Sequence, residues 1–78
     1  MKRSTRLVRY EVHALRRMEQ RGISREAVNQ VLRRPQKVGP ARRPGAKRFE
    51  GRISATKWLI VVVEDTEEFR RVITAHWR

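Results

Sequence analysis

The fold is decided by residues 13–24, which read HALRRMEQRGIS. Apolar residues recur at helical spacing between Ala14 and Met18, which predicts a helix with one apolar face. Gly22 can adopt the left-handed conformation that ends a helix, and Ser24 is a favourable N-cap for a following helix. This stretch therefore predicts a helix, a sharp reversal and a second helix.

Apolar periodicity extends these two helices to residues 10–21 and 24–34, where Pro35 ends the second. Residues 1–9 are basic and contain little to bury, so they are expected to form a loose N-terminal arm that is extended near residues 7–8. Residues 36–46 contain prolines and glycines and predict a loop.

The remainder of the chain predicts strands. Polar and apolar residues alternate in 47–53 and again in 69–77, while 58–63 form a continuous apolar run that suggests a buried central strand. Trp58, which opens this run, is expected in the core. The short turns favour an antiparallel sheet of three or four strands with both helices on one face, which is an α+β fold.

The chain has 78 residues, 20 of them Lys or Arg, and a formal net charge of +12. Residues 1–48 contain 15 basic and 3 acidic side chains (15 − 3 = +12), whereas residues 49–78 contain 5 of each. A basic field of this size favours a polyanion such as RNA. The same composition would also suit binding to an acidic protein partner, or a solvated basic surface without a partner.

The chain has no cysteine, which excludes disulfides and thiolate zinc sites. Its longest apolar run, 58–63, has six residues and is far shorter than the ~20 that span a bilayer. The N-terminus lacks the apolar block of a signal peptide. We expect a cytoplasmic protein without a membrane segment. The histidines lack zinc-site spacing and no acidic cluster suits magnesium, so no metal or other cofactor is predicted.

Strand alternation places one polar set on the sheet face opposite the helices: Arg48, Glu50, Arg52, Arg70, Thr74 and His76. A ribonuclease that uses no metal needs an acid and a base, with cations around the scissile phosphate. His76 could act as acid or base and Glu50 as base. Arg48, Arg52 and Arg70 could stabilise the transition state. The alternative is a solvated face with cross-strand Arg–Glu pairs.

Two further basic groups are candidates for RNA contacts. His13, Arg17 and Arg21 follow one another at i, i+4 and i+8 along the first helix, and His13 could also be an acid or base. Arg42 and Arg43 lie at the tip of the predicted loop, where ligand contacts are common. The alternative for His13 is a histidine on the helix surface that orients a neighbour.

Three stretches together resemble the family called domain of unknown function 4258: HALRRMEQRGIS (13–24), VNQVLRRP (28–35) and WLIVVVEDTEEFRRVITAH (58–76). The resemblance covers about residues 10–76. This family looks related to the RelE and BrnT toxins of toxin–antitoxin pairs. Residues 73–76 look like the closing strand of BrnT, which has arginine where this chain has His76.

The resemblance implies that residues 10–78 form a single RelE-like domain of the microbial ribonuclease type. It also implies a metal-independent endoribonuclease toxin, an RNA substrate, free or on the ribosome, and an acidic antitoxin partner. A non-catalytic RNA- or ribosome-binding module with the same fold, and a domain that binds an acidic protein, are the alternatives.

Overall fold

A computed structural model describes residues 7–78 of the chain. Over these residues it contains two helices and five strands: β1 (Leu7–Tyr10), α1 (Val12–Arg21), α2 (Arg25–Arg33), β2 (Lys37–Pro40), β3 (Ala46–Ser54), β4 (Lys57–Asp65) and β5 (Phe69–Trp77). The predicted α+β class is confirmed. No helix in the described part of the chain is long and apolar enough to cross a membrane.

The predicted reversal between the helices is confirmed. Gly22 ends α1 with a left-handed backbone (φ 69°), and the backbone N–H of Ile23 donates to the carbonyl of Met18 at 2.8 Å. Ser24 caps α2, since its side-chain oxygen accepts from the backbone N–H of Ala27 at 3.0 Å. Ile23, between the two caps, is buried and fixes the chain against the core.

The sheet is larger than predicted and is mixed. Its strand order is β1-β5-β4-β3-β2, with β1 parallel to β5 and every other neighbouring pair antiparallel. β1 uses residues 7–9 of the predicted arm and Tyr10 of the predicted first helix, and β2 forms within the predicted loop. Both are edge strands of four residues, too short for a recognisable alternation. The rest of the arm, residues 1–6, lies outside the described residues.

Both helices pack on one face of the sheet, as predicted. The core joins Ala14, Met18, Val28 and Val31 from the helices to Leu59, Val61 and Val63 of β4. The packing is close at Gly51 of β3, where an added Cβ would lie 3.4 Å from a methyl group of Val31. The opposite side, here called the open face, carries the side chains of Arg48, Glu50, Arg52, Trp58, Ile60, Val62, Thr74 and His76.

A bulge in β5 changes which residues reach the open face. Val62 is opposite Thr74, but the next residue of β4, Val63, is opposite Val72, so Ile73 is an extra residue. Val72 is consequently buried in the core, although strict alternation would group it with Thr74.

Because of the bulge, Arg70 does not lie on the open face, where the sequence predicted it. Arg70 is opposite Asp65 in the sheet, and its guanidinium lies 4.7 Å from the centre of the Phe49 ring, which belongs to the core. Its Nε donates to Asp65 at 2.7 Å. Arg70 therefore lies on the helix-bearing face and is separated from His76 by the sheet.

Candidate functional site

A cleft of about 430 Å³ lies between the β2–β3 connection and the middle of the open face. We call it the arginine cleft, because three arginines line it: Arg42 and Arg43 from the connection, and Arg48 from β3. Thr74 and His76 of β5 line its other side, together with Ala41, Val62 and the bulged Ile73. The bulge thus places two consecutive residues of β5, Ile73 and Thr74, at the cleft.

His76 is the titratable group of this cleft that can change its charge near neutral pH. Burial lowers its pKa from the usual value of 6.5, and the positive charges of Arg21 and Arg48 lower it further, while Glu50 has a smaller opposite effect. The lowered pKa favours the neutral imidazole at pH 7. A neutral imidazole can accept a proton from a bound hydroxyl group.

Glu50 is tied by hydrogen bonds and does not present a free carboxylate. It is only 6% exposed. Its Oε1 accepts from the indole N–H of Trp58 at 2.8 Å, and its Oε2 accepts from Nε of Arg48 at 2.7 Å. The bond from Trp58, followed by that from Arg48, lowers the pKa of Glu50 although burial raises it. Glu50 therefore orients Arg48 toward the cleft, a different use from the base proposed in the sequence analysis.

The arginines of the cleft differ in how far they are neutralised. Arg48 forms an ion pair with Glu50, but 48% of its side-chain surface remains exposed. Arg43 lies 3.5 Å from Glu64 in a more exposed pair. Arg42 forms no ion pair with any residue in the described part of the chain. Positive charge thus remains available to an anion in the cleft.

The structure brings together five of the predicted site residues and separates the others. His76, Arg42, Arg43, Arg48 and Thr74 line the cleft. Glu50 lies behind Arg48, and Arg52 lies on the open face outside the cleft, opposite Trp58. Arg70 is on the helix-bearing face.

His13 belongs to a second concavity on the exposed side of α1, of about 370 Å³, lined by His13, Arg16, Arg17, Gln20 and Arg21. Arg21 connects this surface to β5, since its Nη1 donates to the carbonyl of Ala75 at 2.9 Å. The indole N–H of Trp77 donates in turn to the carbonyl of Arg21 at 2.7 Å. Arg21 is therefore held beside His76, whereas His13 does not line the arginine cleft.

Trp58 is the residue of the open face that the sequence analysis missed. Trp58 was expected in the core, but it is only partly buried, and its indole N–H donates to Glu50 on the adjacent strand β3. The continuous apolar run 58–63 conceals which of its members point to which face. An indole N–H needs a hydrogen-bond acceptor, and this need was the indication in the sequence that Trp58 points to the polar face.

The described residues contain no group of three or more His, Asp or Glu side chains that could hold a metal ion.

The family described as "Domain of unknown function (DUF4258)" matches the chain over residues 10–77. No curated protein and no solved structure gives a significant match. The matched region contains both helices, all of β2–β5 and every residue of the arginine cleft. The chain therefore belongs to the domain of unknown function 4258 family.

Proposed function

We propose that this protein is a RelE-like endoribonuclease that cleaves RNA in the arginine cleft without a metal ion. The observation that carries the proposal is that His76 lines one cleft with three arginines on an open sheet face. The lowered pKa of His76 favours its neutral form there. Arginine binds phosphate through paired N–H donors, and a neutral imidazole is a base at physiological pH.

The chemistry follows from these groups. A ring nitrogen of His76 takes the proton of a ribose 2′-hydroxyl, whose oxygen then attacks the adjacent phosphorus atom. The P–O5′ bond breaks, and the departing oxygen takes a proton from solvent. The products are a 2′,3′-cyclic phosphate and a 5′-hydroxyl, and His76 returns its proton to solvent. Arg48 and Arg42 stabilise the additional negative charge on the phosphate oxygens.

The biological setting that we propose is a cytoplasmic toxin that acts on RNA, free or on the ribosome, and is paired with an acidic antitoxin. The charge distribution supports it, because the whole excess of +12 lies in residues 1–48. An acidic protein that covers this surface would compete with RNA for the same arginines.

A cleavage assay with two histidine variants tests the proposal. The purified protein is incubated with total RNA and with translating ribosomes in the presence of EDTA. We expect wild-type and His13→Ala proteins to cleave RNA, and His76→Ala to lose about 10²- to 10⁴-fold in rate. His13→Ala is the matched control, since it removes a histidine outside the cleft. Unchanged cleavage by a folded His76→Ala variant would overturn the proposed role of His76.

A non-catalytic RNA-binding module is the second candidate, and one observation favours it. His76 is the single side chain among the described cleft residues that titrates near neutrality, since the arginines remain protonated. A cleft with one such group has no second residue to protonate the leaving oxygen. RNA retention that weakens with salt, without cleavage by the wild-type protein, would establish this candidate instead.

A further inference from the structure

Trp58 lies beside the arginine cleft on the same face of the sheet. It is two residues before Ile60, whose register partner on β5 is His76. Trp58 and His76 are therefore diagonal neighbours on adjacent antiparallel strands, a relationship that spans roughly 7–8 Å between backbones and is within reach of an aromatic side chain. The indole thus belongs to the cross-strand position next to that of the proposed catalytic imidazole on the same face.

The orientation of the indole is fixed through a group that also serves the cleft. The N–H of Trp58 donates to Oε1 of the buried Glu50 at 2.8 Å, and Oε2 of the same carboxylate holds Arg48 at 2.7 Å. Burial and two strong donors hold this carboxylate in place. The ring of Trp58 is consequently a rigid, partly exposed aromatic surface and is not a member of the hydrophobic core.

Two arginines flank this ring, and neither forms an ion pair with any residue between 7 and 78. Arg52 is opposite Trp58 in the register of β3 and β4. The guanidinium of Arg78 lies 5.3 Å from the centre of the Trp58 ring, and its backbone N–H donates to the carbonyl of Trp58 at 2.8 Å.

The other end of the sheet shows the contrasting arrangement. Arg70 is paired there with Asp65 at 2.7 Å, and Arg71 with Glu64 at 3.3 Å. The arginines around Trp58 therefore remain available to an external anion. A partly exposed aromatic ring beside cations that form no ion pair is a combination that binds single-stranded nucleic acids, because bases stack on the ring while phosphates contact the cations.

We infer that Trp58, with Arg52 and Arg78, forms a nucleobase-binding site for the nucleotide next to the scissile phosphate. The inference rests on the proposed function for the position of that phosphate. In the free protein the planar guanidinium of Arg78 covers the ring. The base takes this position when RNA binds, and Arg78 moves to the adjoining phosphate. Stacking selects for an unpaired base and adds affinity that inorganic phosphate cannot provide.

Fluorescence of a protein with Trp58 as its single tryptophan tests this inference. The chain has two tryptophans, so Trp77→Phe leaves Trp58 as the reporter. The variant is titrated with a single-stranded RNA oligonucleotide and, separately, with inorganic polyphosphate. We expect RNA to quench the emission strongly and polyphosphate to bind without comparable quenching. Equal responses to both probes, or unchanged emission when RNA binding is saturated, would overturn the inference.

Affinity measurements with two Trp58 variants provide the second test, using anisotropy of a labelled RNA. Trp58→Leu should weaken binding about 5- to 150-fold, the range for one stacked base. Trp58→Phe retains a ring and should recover most of this loss, although it lacks the N–H that bonds to Glu50. If both variants, checked for folding by circular dichroism, weaken binding equally, Trp58 acts through Glu50 and the stacking site is wrong.

These outcomes separate the inference from the proposed function. Quenching and a Trp58→Leu affinity loss without RNA cleavage would contradict the endoribonuclease and retain the nucleobase site. Cleavage that depends on His76, with neither quenching nor an affinity loss, would retain the enzyme and remove the nucleobase site.

Discussion

At the scale of single residues, two titratable groups have lowered pKa values with opposite consequences for their charge. Burial and neighbouring arginines keep His76 neutral, whereas hydrogen bonds from Trp58 and Arg48 keep Glu50 ionised. On the open face His76 is therefore a proton acceptor, and Glu50 is an anion fixed by its donors. In the proposed mechanism, His76 is accordingly the base and Glu50 positions Arg48.

The pH dependence of cleavage should report His76. If its neutral form is the base, the rate rises as pH increases through its pKa, which lies below 6.5, and is constant at neutral pH. Single-turnover cleavage of an RNA oligonucleotide between pH 4.5 and 8 measures this profile. A rate that falls as pH rises across the same range would show that the protonated imidazole is the active form.

Removing the charge of Glu50 should destabilise the protein. Glu50→Gln weakens the contact with Arg48 in a buried setting, and we expect a loss of about 1–3 kcal/mol in the free energy of unfolding at pH 7. Urea denaturation measures it, and Glu26→Gln on the exposed surface of α2 is the control for a lost carboxylate.

The wild-type and Glu50→Gln proteins should also respond differently to acid. Because the pKa of Glu50 is lowered in the folded state, its stabilisation is complete above the unfolded value of 4.5 and is lost as pH falls through the folded value. The stability difference between wild-type and Glu50→Gln proteins should therefore shrink below pH 4.5. A difference that is constant down to pH 2 would contradict this linkage.

At the scale of elements, the helix reversal at Gly22 is a local and predictable feature. No atom lies within 4 Å of a Cβ built at Gly22, so a substitution there meets only backbone strain at φ 69°. Gly22→Ala should cost about 1–2 kcal/mol, and Gly22→Asn less, because asparagine tolerates the left-handed conformation. Thermal unfolding of both variants compares them. Equal losses would contradict the account that the left-handed backbone conformation limits this position.

The elements differ in how well the sequence predicts them. The helices and their caps depend on residues close together in the chain, so apolar spacing, Gly22 and Ser24 were sufficient. β1 and β2 are edge strands of four residues each. β1 pairs with a strand far along the sequence, as in the pairing of Leu7 with Phe69, whereas β2 pairs with the nearby β3. Their backbone pairing, and not their side-chain pattern, makes them strands. This explains why the sequence indicated only an extended stretch near residues 7–8 for β1 and a loop for β2.

The bulge explains the errors within the candidate site. The side chains of β5 alternate between the two faces in one phase before Ile73 and in the opposite phase after it. A single uninterrupted alternation therefore could not assign both Arg70 and His76 to the correct face. The polar set was correct for β3 and for the end of β5, where Arg48, Thr74 and His76 share the open face. The cleft also depends on Arg42 and Arg43, which the sequence identified as candidate RNA contacts on a loop without indicating that they lie opposite His76.

At the scale of the whole molecule, charge should govern RNA affinity. The net charge is +12. When binding releases counterions, the logarithm of the binding constant falls linearly with log[salt], with a slope of about −0.7 per phosphate contact on a single strand. Arg42→Ala should reduce this slope and the affinity together. Arg33→Ala removes an equal charge from α2 outside the arginine cleft and should change both less. Equal effects of the two variants would indicate diffuse electrostatic binding without a defined cleft.

The central claim, attack by a ribose 2′-hydroxyl under the control of His76, is tested most directly by the ends of the RNA products. A defined oligonucleotide is incubated with wild-type protein in EDTA, and the fragments are analysed by mass spectrometry, with His76→Ala and His13→Ala in parallel. We predict 2′,3′-cyclic phosphate and 5′-hydroxyl ends from wild-type and His13→Ala proteins, and almost none from His76→Ala. Fragments with 5′-phosphate ends, or cyclic ends formed equally well by His76→Ala, would contradict the account.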